Sequence, residues 1–208
     1  MPKIICISDT HSTTPEVPSG DILIHAGDLT NRGNEAELRD QLAWLDSLPH
    51  KHKIFIAGNH DFIFEIASDY AKYILKDYKS LTYLQDESIN IEGIKFYGSP
   101  WQPEFNNWAF NLKRGDELKK KWELIPQDTD FLITHCPPKG ILDFVKPLNT
   151  GCEELLEVVS KIKPRYHVFG HVHEGAGKLE QDGITFINAS VLDDKYKPYT
   201  TPIHVIEI

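Results

Sequence analysis

Cysteine is scarce in this chain, positive charge is outnumbered, and no apolar run is long. The three cysteines, Cys6, Cys136 and Cys152, stand apart with no CxxC spacing. An odd, sparse count argues against a disulfide framework and against a structural zinc site. Cys6 lies in an apolar run and reads as a small core residue. Cys136 adjoins a histidine, but no neighbour gives it a reason for a low thiol pKa, so packing is the expectation there too. Lys and Arg total 22 against 31 Asp and Glu, a formal net charge of -9. That balance repels a phosphate backbone, so extended nucleic-acid binding is not expected. No apolar run approaches bilayer-spanning length, so no membrane partner is expected. Met1-Pro2-Lys3 leads into Ile4–Ile7 and the run stops at Ser8-Asp9, which is not a leader pattern. A soluble cytoplasmic protein is the expectation. Internal sequence repeats and low-complexity segments are absent as well.

What is present is a recurring unit: an apolar run, a turn, then a ligand-type side chain. The 208 residues, 40% of them hydrophobic and 25% charged, predict one globular domain over 1–208. Runs at 3–8, 21–26, 53–57, 130–134 and 165–169 read as strands, several apolar throughout and so buried on both faces. His25 and His167 lie inside two of these runs and read as interior histidines. Asn34 is a predicted N-cap with Glu37 reaching back, opening a helix that Pro49 ends. A second helix is predicted over roughly 62–78, with Phe62, Phe64, Tyr70 and Tyr73 as core. Short strands follow at 81–83, 89–91 and 94–97, the last two joined as a hairpin through Gly93. Residues 98–126 have little periodicity and many aromatics until a helix near 116–124. Such a segment can shape a pocket, with Trp101, Asn106 or Asn107 as candidates. A helix at 153–162 and strands at 184–188 and 203–208 complete the reading.

The five strand ends carry Asp9 and His11, Asp28, the tetrad Gly58-Asn59-His60-Asp61, His135, and His171 with His173. Five of the ten histidines fall there. In layered α/β proteins, sites gather at the carboxyl ends of strands. Carboxylate, amide and imidazole donors without thiolate suit a catalytic transition metal more than structural zinc. Convergence of so many donors exceeds the needs of one ion, and Asp28 could bridge two.

The set Asp9-x-His11, Gly27-Asp28, Gly58-Asn59-His60-Asp61, His135 and Gly170-His171-x-His173 resembles the calcineurin-like metallophosphoesterase superfamily, in order and over nearly the whole chain. Gly98–Pro103, Ile133–Pro138 and Gly170–Gly175 resemble its small metallophosphoesterase-domain phosphodiesterase subgroup. The resemblance implies a four-layer α/β/β/α sandwich with mixed sheets and two divalent transition-metal ions, manganese favoured over iron, zinc or nickel. It implies Asp9, His11, Asp28 and His173 as ligands of one ion, and Asp28, Asn59, His135 and His171 as ligands of the other. The implied substrate is a small phosphodiester such as a cyclic nucleotide, hydrolysed by hydroxide generated at the metal pair. His60 is placed to stabilise developing charge or protonate the leaving oxygen. Asp61 either orients His60 and raises its pKa or caps the following helix. Phosphomonoesterase or protein phosphatase activity, and nucleotide binding with little turnover, are the alternatives; a nuclease fits the charge least. Oligomeric state is not legible.

Overall fold

The computed structural model describes residues 2–199 and 203–208. Its strands assemble into two main sheets. The first holds β1 (Lys3–Ile7), β2 (Ile22–His25), β3 (His52–Phe55), β4 (Leu81–Tyr83) and β15 (His204–Glu207), in the order β15-β1-β2-β3-β4. β1 to β4 run parallel and β15 closes the edge antiparallel. The second holds β5 (Glu87–Ile91), β6 (Ile94–Ser99), β9 (Phe131–Thr134), β12 (Tyr166–Phe169), β13 (Gly177–Gln181) and β14 (Ile184–Asn188), in the order β13-β14-β12-β9-β6-β5. Its four central strands are parallel and both edges antiparallel. Both sheets are therefore mixed, as expected. A parallel bridge between Ser8 and Ser190 joins the carboxyl ends of β1 and β14, bringing the tops of the two sheets together.

The apolar runs are continuous because each central strand is buried on both faces. Alternation sends Ile4, Cys6, Ile24 and Ile54 inward to meet Phe96, Phe131, Ile133 and Val168 from the other sheet. The intervening residues Ile5, Leu23 and Phe55 face outward onto helices α1 (Glu35–Ser47) and α3 (Ser68–Leu75), through Leu38, Leu42, Ala71 and Ile74. On the opposite side Leu132, Phe169 and Phe186 pack against α4 (Asp116–Trp122) and α5 (Glu153–Ile162), through Leu118, Trp122, Leu155 and Val159. The result is the α/β/β/α layering.

Three local expectations change. The helix predicted over 62–78 breaks at Ala67, whose φ of -139° and ψ of 46° are not helical, leaving α2 (Ile63–Ile66) and α3. Tyr70 and Tyr73 are 43% and 63% exposed rather than core, because α3 turns Ala71 and Ile74 inward. Asn34 does cap α1, accepting from Glu37 N at 3.0 Å, but the Glu37 carboxylate reaches past it to the amides of Asn31 and Arg32. Within 98–126 the chain is ordered by a short parallel pair, β7 (Gln102–Pro103) with β8 (Asn111–Leu112), pinned beneath by buried Ala109 and Phe110. The remaining pair, β10 (Phe144–Val145) and β11 (Leu148–Asn149), is a small hairpin on the rim.

Candidate metal centre

The loops that leave β1 and β2 run side by side beyond the sheet. Asp9 N donates to the Gly27 carbonyl, His11 N to that of Asp28 and Ser12 N to that of Leu29, each at 3.0 Å. This pairing holds Asp9, His11 and Asp28 at φ values of 55°, 43° and 55°; His171, at the end of β12, sits at 68°. Left-handed backbone at a non-glycine residue costs on the order of 1–3 kcal/mol and persists where surroundings over-determine it, commonly at functional sites. Two glycines make room: a Cβ on Gly58 would overlap Asp28 Oδ1, and one on Gly170 would overlap Asp9 Oδ2.

All seven side chains expected as metal ligands come together. Asp9, His11 and His173 each offer an atom within 4.8 Å of the others, as do Asp9, Asp28 and His135. His11 Nε2 lies 3.2 Å from His173 Nε2. Asn59 Oδ1 lies 3.0 Å from His135 Nε2 and 2.8 Å from His171 Nδ1. Asp28 stands between these two groups. Its Oδ1 accepts the His60 amide at 2.8 Å, while Oδ2 is 3.7 Å from His11 and 3.4 Å from His135. One carboxylate oxygen thus faces both halves of the cluster. Asp9 is steadied by the His171 amide and, at 2.7 Å, the Ser190 hydroxyl.

The hydrogen bonds behind the imidazoles identify what the cluster is built to receive. His135 Nδ1 donates to the Ala26 carbonyl at 3.0 Å, and His173 Nδ1 to the Asp193 carbonyl at 2.8 Å. A carbonyl only accepts, so each neutral ring must present a bare Nε2 lone pair forward. Those lone pairs meet carboxylates: Asp28 at 3.4 Å and Asp9 at 3.5 Å. Acceptor against acceptor is unfavourable unless the ring is protonated or a cation lies between. Without a cation, protonation is the resort. Burial opposes it, yet the charge and hydrogen bond of Asp28 hold His135 up to about 9. Burial likewise opposes it at His173, which the Asp9 hydrogen bond and charge hold up to about 9. His171 falls to about 4, through burial and the neighbouring His135 charge. The donor set and tautomers therefore fit divalent cations, with imidazole orientation fixed from behind as metal sites require.

His60 and Asp61 part company. His60 Nδ1 donates to the Asn31 carbonyl at 2.7 Å, leaving Nε2 for the cleft. Its ring stacks at 4.2 Å on Trp108 and meets His11 edge-on at 4.5 Å. Asp61 does not take the place expected of it. Its carboxylate accepts from Gly58 N (2.8 Å), Leu29 N (3.1 Å), Thr30 N (2.8 Å) and Thr30 Oγ1 (2.6 Å). It neither reaches the His60 ring nor caps α2, because a fully buried carboxylate needs donors and the two loops supply four. It braces the β2 loop against the β3 loop. Burial and the nearby Asp28 charge push it up to about 6.

The cluster opens into a cleft of about 250 Å³. Phe105, Trp108, Glu174, Asp194 and Tyr196 complete its wall, none of which the sequence had assigned a role. The Asp193 turn closes through Lys197 and supplies the carbonyl behind His173, while Tyr196 packs on His11 and His173 at 4.8 and 5.4 Å. Trp101 lies elsewhere, its indole donating to Asp86 beneath Lys121. Asn106 and Asn107 do not line the cleft either. The usable signal for Trp108 was an aromatic cluster in an irregular segment; Tyr196 had none.

Comparison with known proteins covers most of the chain. The family model described as calcineurin-like phosphoesterase matches residues 2–175. Metallophosphoesterase domain-containing protein 1 of Homo sapiens is 44% identical over 226 residues, covering 97% of this chain and 69% of that protein. A UPF0046 protein of Caenorhabditis elegans is 39% identical over 214 residues, covering 97% of this chain and 73% of its own. A crystal structure of a Thermus thermophilus protein shares the fold at a TM-score of 0.61 and 14% identity, over 90% of this chain and 88% of that one. By the extent of the family match and the identity of these relatives, this chain belongs to the calcineurin-like phosphoesterase family.

Proposed function

We propose that this protein is a phosphodiesterase for small phosphodiesters, cyclic nucleotides among them, working with two divalent transition metals such as manganese. The observation that carries the reading is Asp28 Oδ2, a single carboxylate oxygen facing His11 on one side and His135 on the other. Asp9, His11, Asp28 and His173 would hold one ion, and Asp28, Asn59, His135 and His171 the second. When bound, the ions supply a hydroxide near neutral pH and neutralise phosphoryl oxygens. The chain's own residues do the rest. The Ala26 and Asp193 carbonyls hold His135 and His173 as Nε2 donors. The Asn31 carbonyl keeps the His60 proton on Nδ1 in the neutral ring, so a protonated ring delivers its second proton from Nε2. Trp108 packs against the His60 ring, and Tyr196 packs edge-on with those of His11 and His173.

Charge supports a diester over a monoester. No Lys or Arg lines the cleft among the described residues, whereas Glu174 and Asp194 stand on its wall. A monoester's second negative charge finds no Lys or Arg there among the described residues; a diester carries only one. The three cysteines are buried and unpaired, which suits a reducing compartment, and a cytoplasmic setting belongs to the proposal. No helix among the described residues is long and apolar enough to cross a membrane. The test is hydrolysis of an aryl phosphodiester and the matching monoester after loading with manganese, iron, zinc or nickel in turn. Faster diester turnover with at least one metal is expected; faster monoester turnover, or none with any metal, overturns the reading.

A further inference from the structure

A second, larger groove of about 510 Å³ adjoins the cleft and shares Phe105, His171 and Glu174 with it. Phe105 forms the wall between them and is 61% exposed. The β10–β11 hairpin lines the same groove through Val145 and Leu148, the latter 67% exposed. Large apolar side chains held exposed beside a polar cluster mark a ligand surface more than a stability device.

The groove's charges narrow the ligand. Its two cations are already engaged. Arg114 pairs with Glu153 and donates to the carbonyls of Gly151 and Thr150, each at 3.0 Å. Lys139 pairs with the same Glu153 at 3.2 Å and donates to the Asn149 carbonyl at 2.7 Å. Glu104 and Glu174 add unmatched negative charge to the wall. A second phosphate or a carboxylate entering here meets repulsion, while a flat, uncharged group finds the Phe105 ring and the aliphatic carbons of Val145 and Leu148.

The geometry points to a specificity subsite: the groove receives one ester substituent of the substrate, an uncharged planar group of aryl or nucleobase size stacked on Phe105, and rejects a chain that continues as phosphate. This deepens the phosphoester reading of the adjoining cleft and rests on it for placement of the phosphate. It also adds a structural reason, beyond net charge, to expect poor binding of extended nucleic acid.

Binding to the metal-loaded protein tests it without requiring turnover. Calorimetric Kd values are compared for methyl phosphate, phenyl phosphate and 4-carboxyphenyl phosphate. Phenyl phosphate should bind at least tenfold more tightly than methyl phosphate, and 4-carboxyphenyl phosphate should lose most of that advantage. Phe105→Ala and Leu148→Asp should each cut the phenyl advantage to threefold or less; Leu148→Asp, which lies outside the metal cleft, should leave methyl phosphate binding unchanged, and circular dichroism certifies that both variants are folded. Equal binding of methyl and phenyl phosphate by the wild type, or an advantage that survives both variants, overturns the subsite. A phenyl advantage in a protein that hydrolyses no diester would sink the phosphodiesterase reading and leave the subsite standing; diester turnover without a phenyl advantage does the reverse.

Discussion

The two sheets bring different chemistry to the cleft. The ends of β1, β2 and β3 supply both carboxylates, Asp9 and Asp28, along with His11, Asn59 and His60. The ends of β9 and β12 supply only imidazoles: His135, His171 and His173. Among the expected ligands, the negative charge therefore sits on one side of the seam. The imidazoles that cross it respond according to distance. His135 and His173 face a carboxylate within 3.5 Å and are held up to about 9, against the opposing effect of burial. His171, which touches Asn59 instead, is driven by burial to about 4. The first sheet sets the charge that attracts cations, and the second supplies neutral donors whose protonation that charge controls.

The largest expected effect comes from removing charge on the first side. Asp28→Asn should abolish stable binding of both ions, because Oδ2 faces both halves of the cluster. Even the groups behind metal ligands are worth roughly 10–100-fold in affinity, and a bridging ligand should exceed that. His171→Ala, on the second side, should lose one ion and keep the other. Metal content after gel filtration reads both. Retention of two ions by Asp28→Asn, or equal losses in the two variants, would break the asymmetry drawn between the sheets.

His60 comes next. His60→Gln should leave metal content intact and lower diester turnover by roughly 10²–10⁴, the usual worth of a positioned acid or base. Unchanged turnover would remove His60 from the chemistry and return it to packing against Trp108. Asp61 is expected to behave in the opposite way. Asp61→Asn turns two donors of the new amide group toward backbone amides already seeking an acceptor. The cost should be about 1.5–3 kcal/mol, the range for hydrogen bonds to a charged group. At a temperature where the variant is folded and metal is saturating, turnover should stay within a few-fold of wild type. A loss as large as that of His60→Gln, with stability intact, would restore Asp61 to the mechanism.

Much of this site was legible because strand ends advertise themselves. An apolar run that halts at Asp, His or Asn gives both the element and the direction of its tip, and the five tips needed only parallel neighbours to converge. The interior histidines were legible for the same reason, since His25 and His167 interrupt runs without ending them. What stayed hidden depends on loops meeting loops. Asp61 could orient, cap or brace by sequence, and only the nearness of Leu29 and Thr30 decides. Trp108 and Tyr196 reach the cleft from segments without periodicity, so nothing local marks the face they cover. The break at Ala67 has no proline or glycine to announce it.

The interior histidines offer the smallest effect and a measure of how far the asymmetry extends below the cleft. Each sits one layer beneath a ligand loop and donates to a threonine hydroxyl: His25 Nε2 to Thr10 at 3.0 Å, and His167 Nε2 to Thr134 at 2.8 Å. Thr10 and Thr134 pass the contact on to the carbonyls of Leu29 and Cys136. Burial pushes His167 down to about 3, with no carboxylate to offset it; burial pushes His25 down to about 4, with Asp9 and Asp28 opposing. The ordinary value is 6.5, so below that pH the unfolded chain takes up a proton that the folded chain refuses. This contribution to stability is complete above about 6.5 and declines as pH falls, by about 1.4 kcal/mol per unit for each histidine, until the folded-state pKa is reached. His167→Gln, which keeps a donor for Thr134, should flatten the slope of unfolding free energy as pH falls below about 6, and His25→Gln should do so over a shorter window, because Asp9 and Asp28 oppose burial there. Urea titrations of the metal-free protein across that range give the slopes. Equal windows for the two variants would mean that the charge on the first sheet does not reach the histidine beneath it, and would confine the difference between the sheets to the cleft itself.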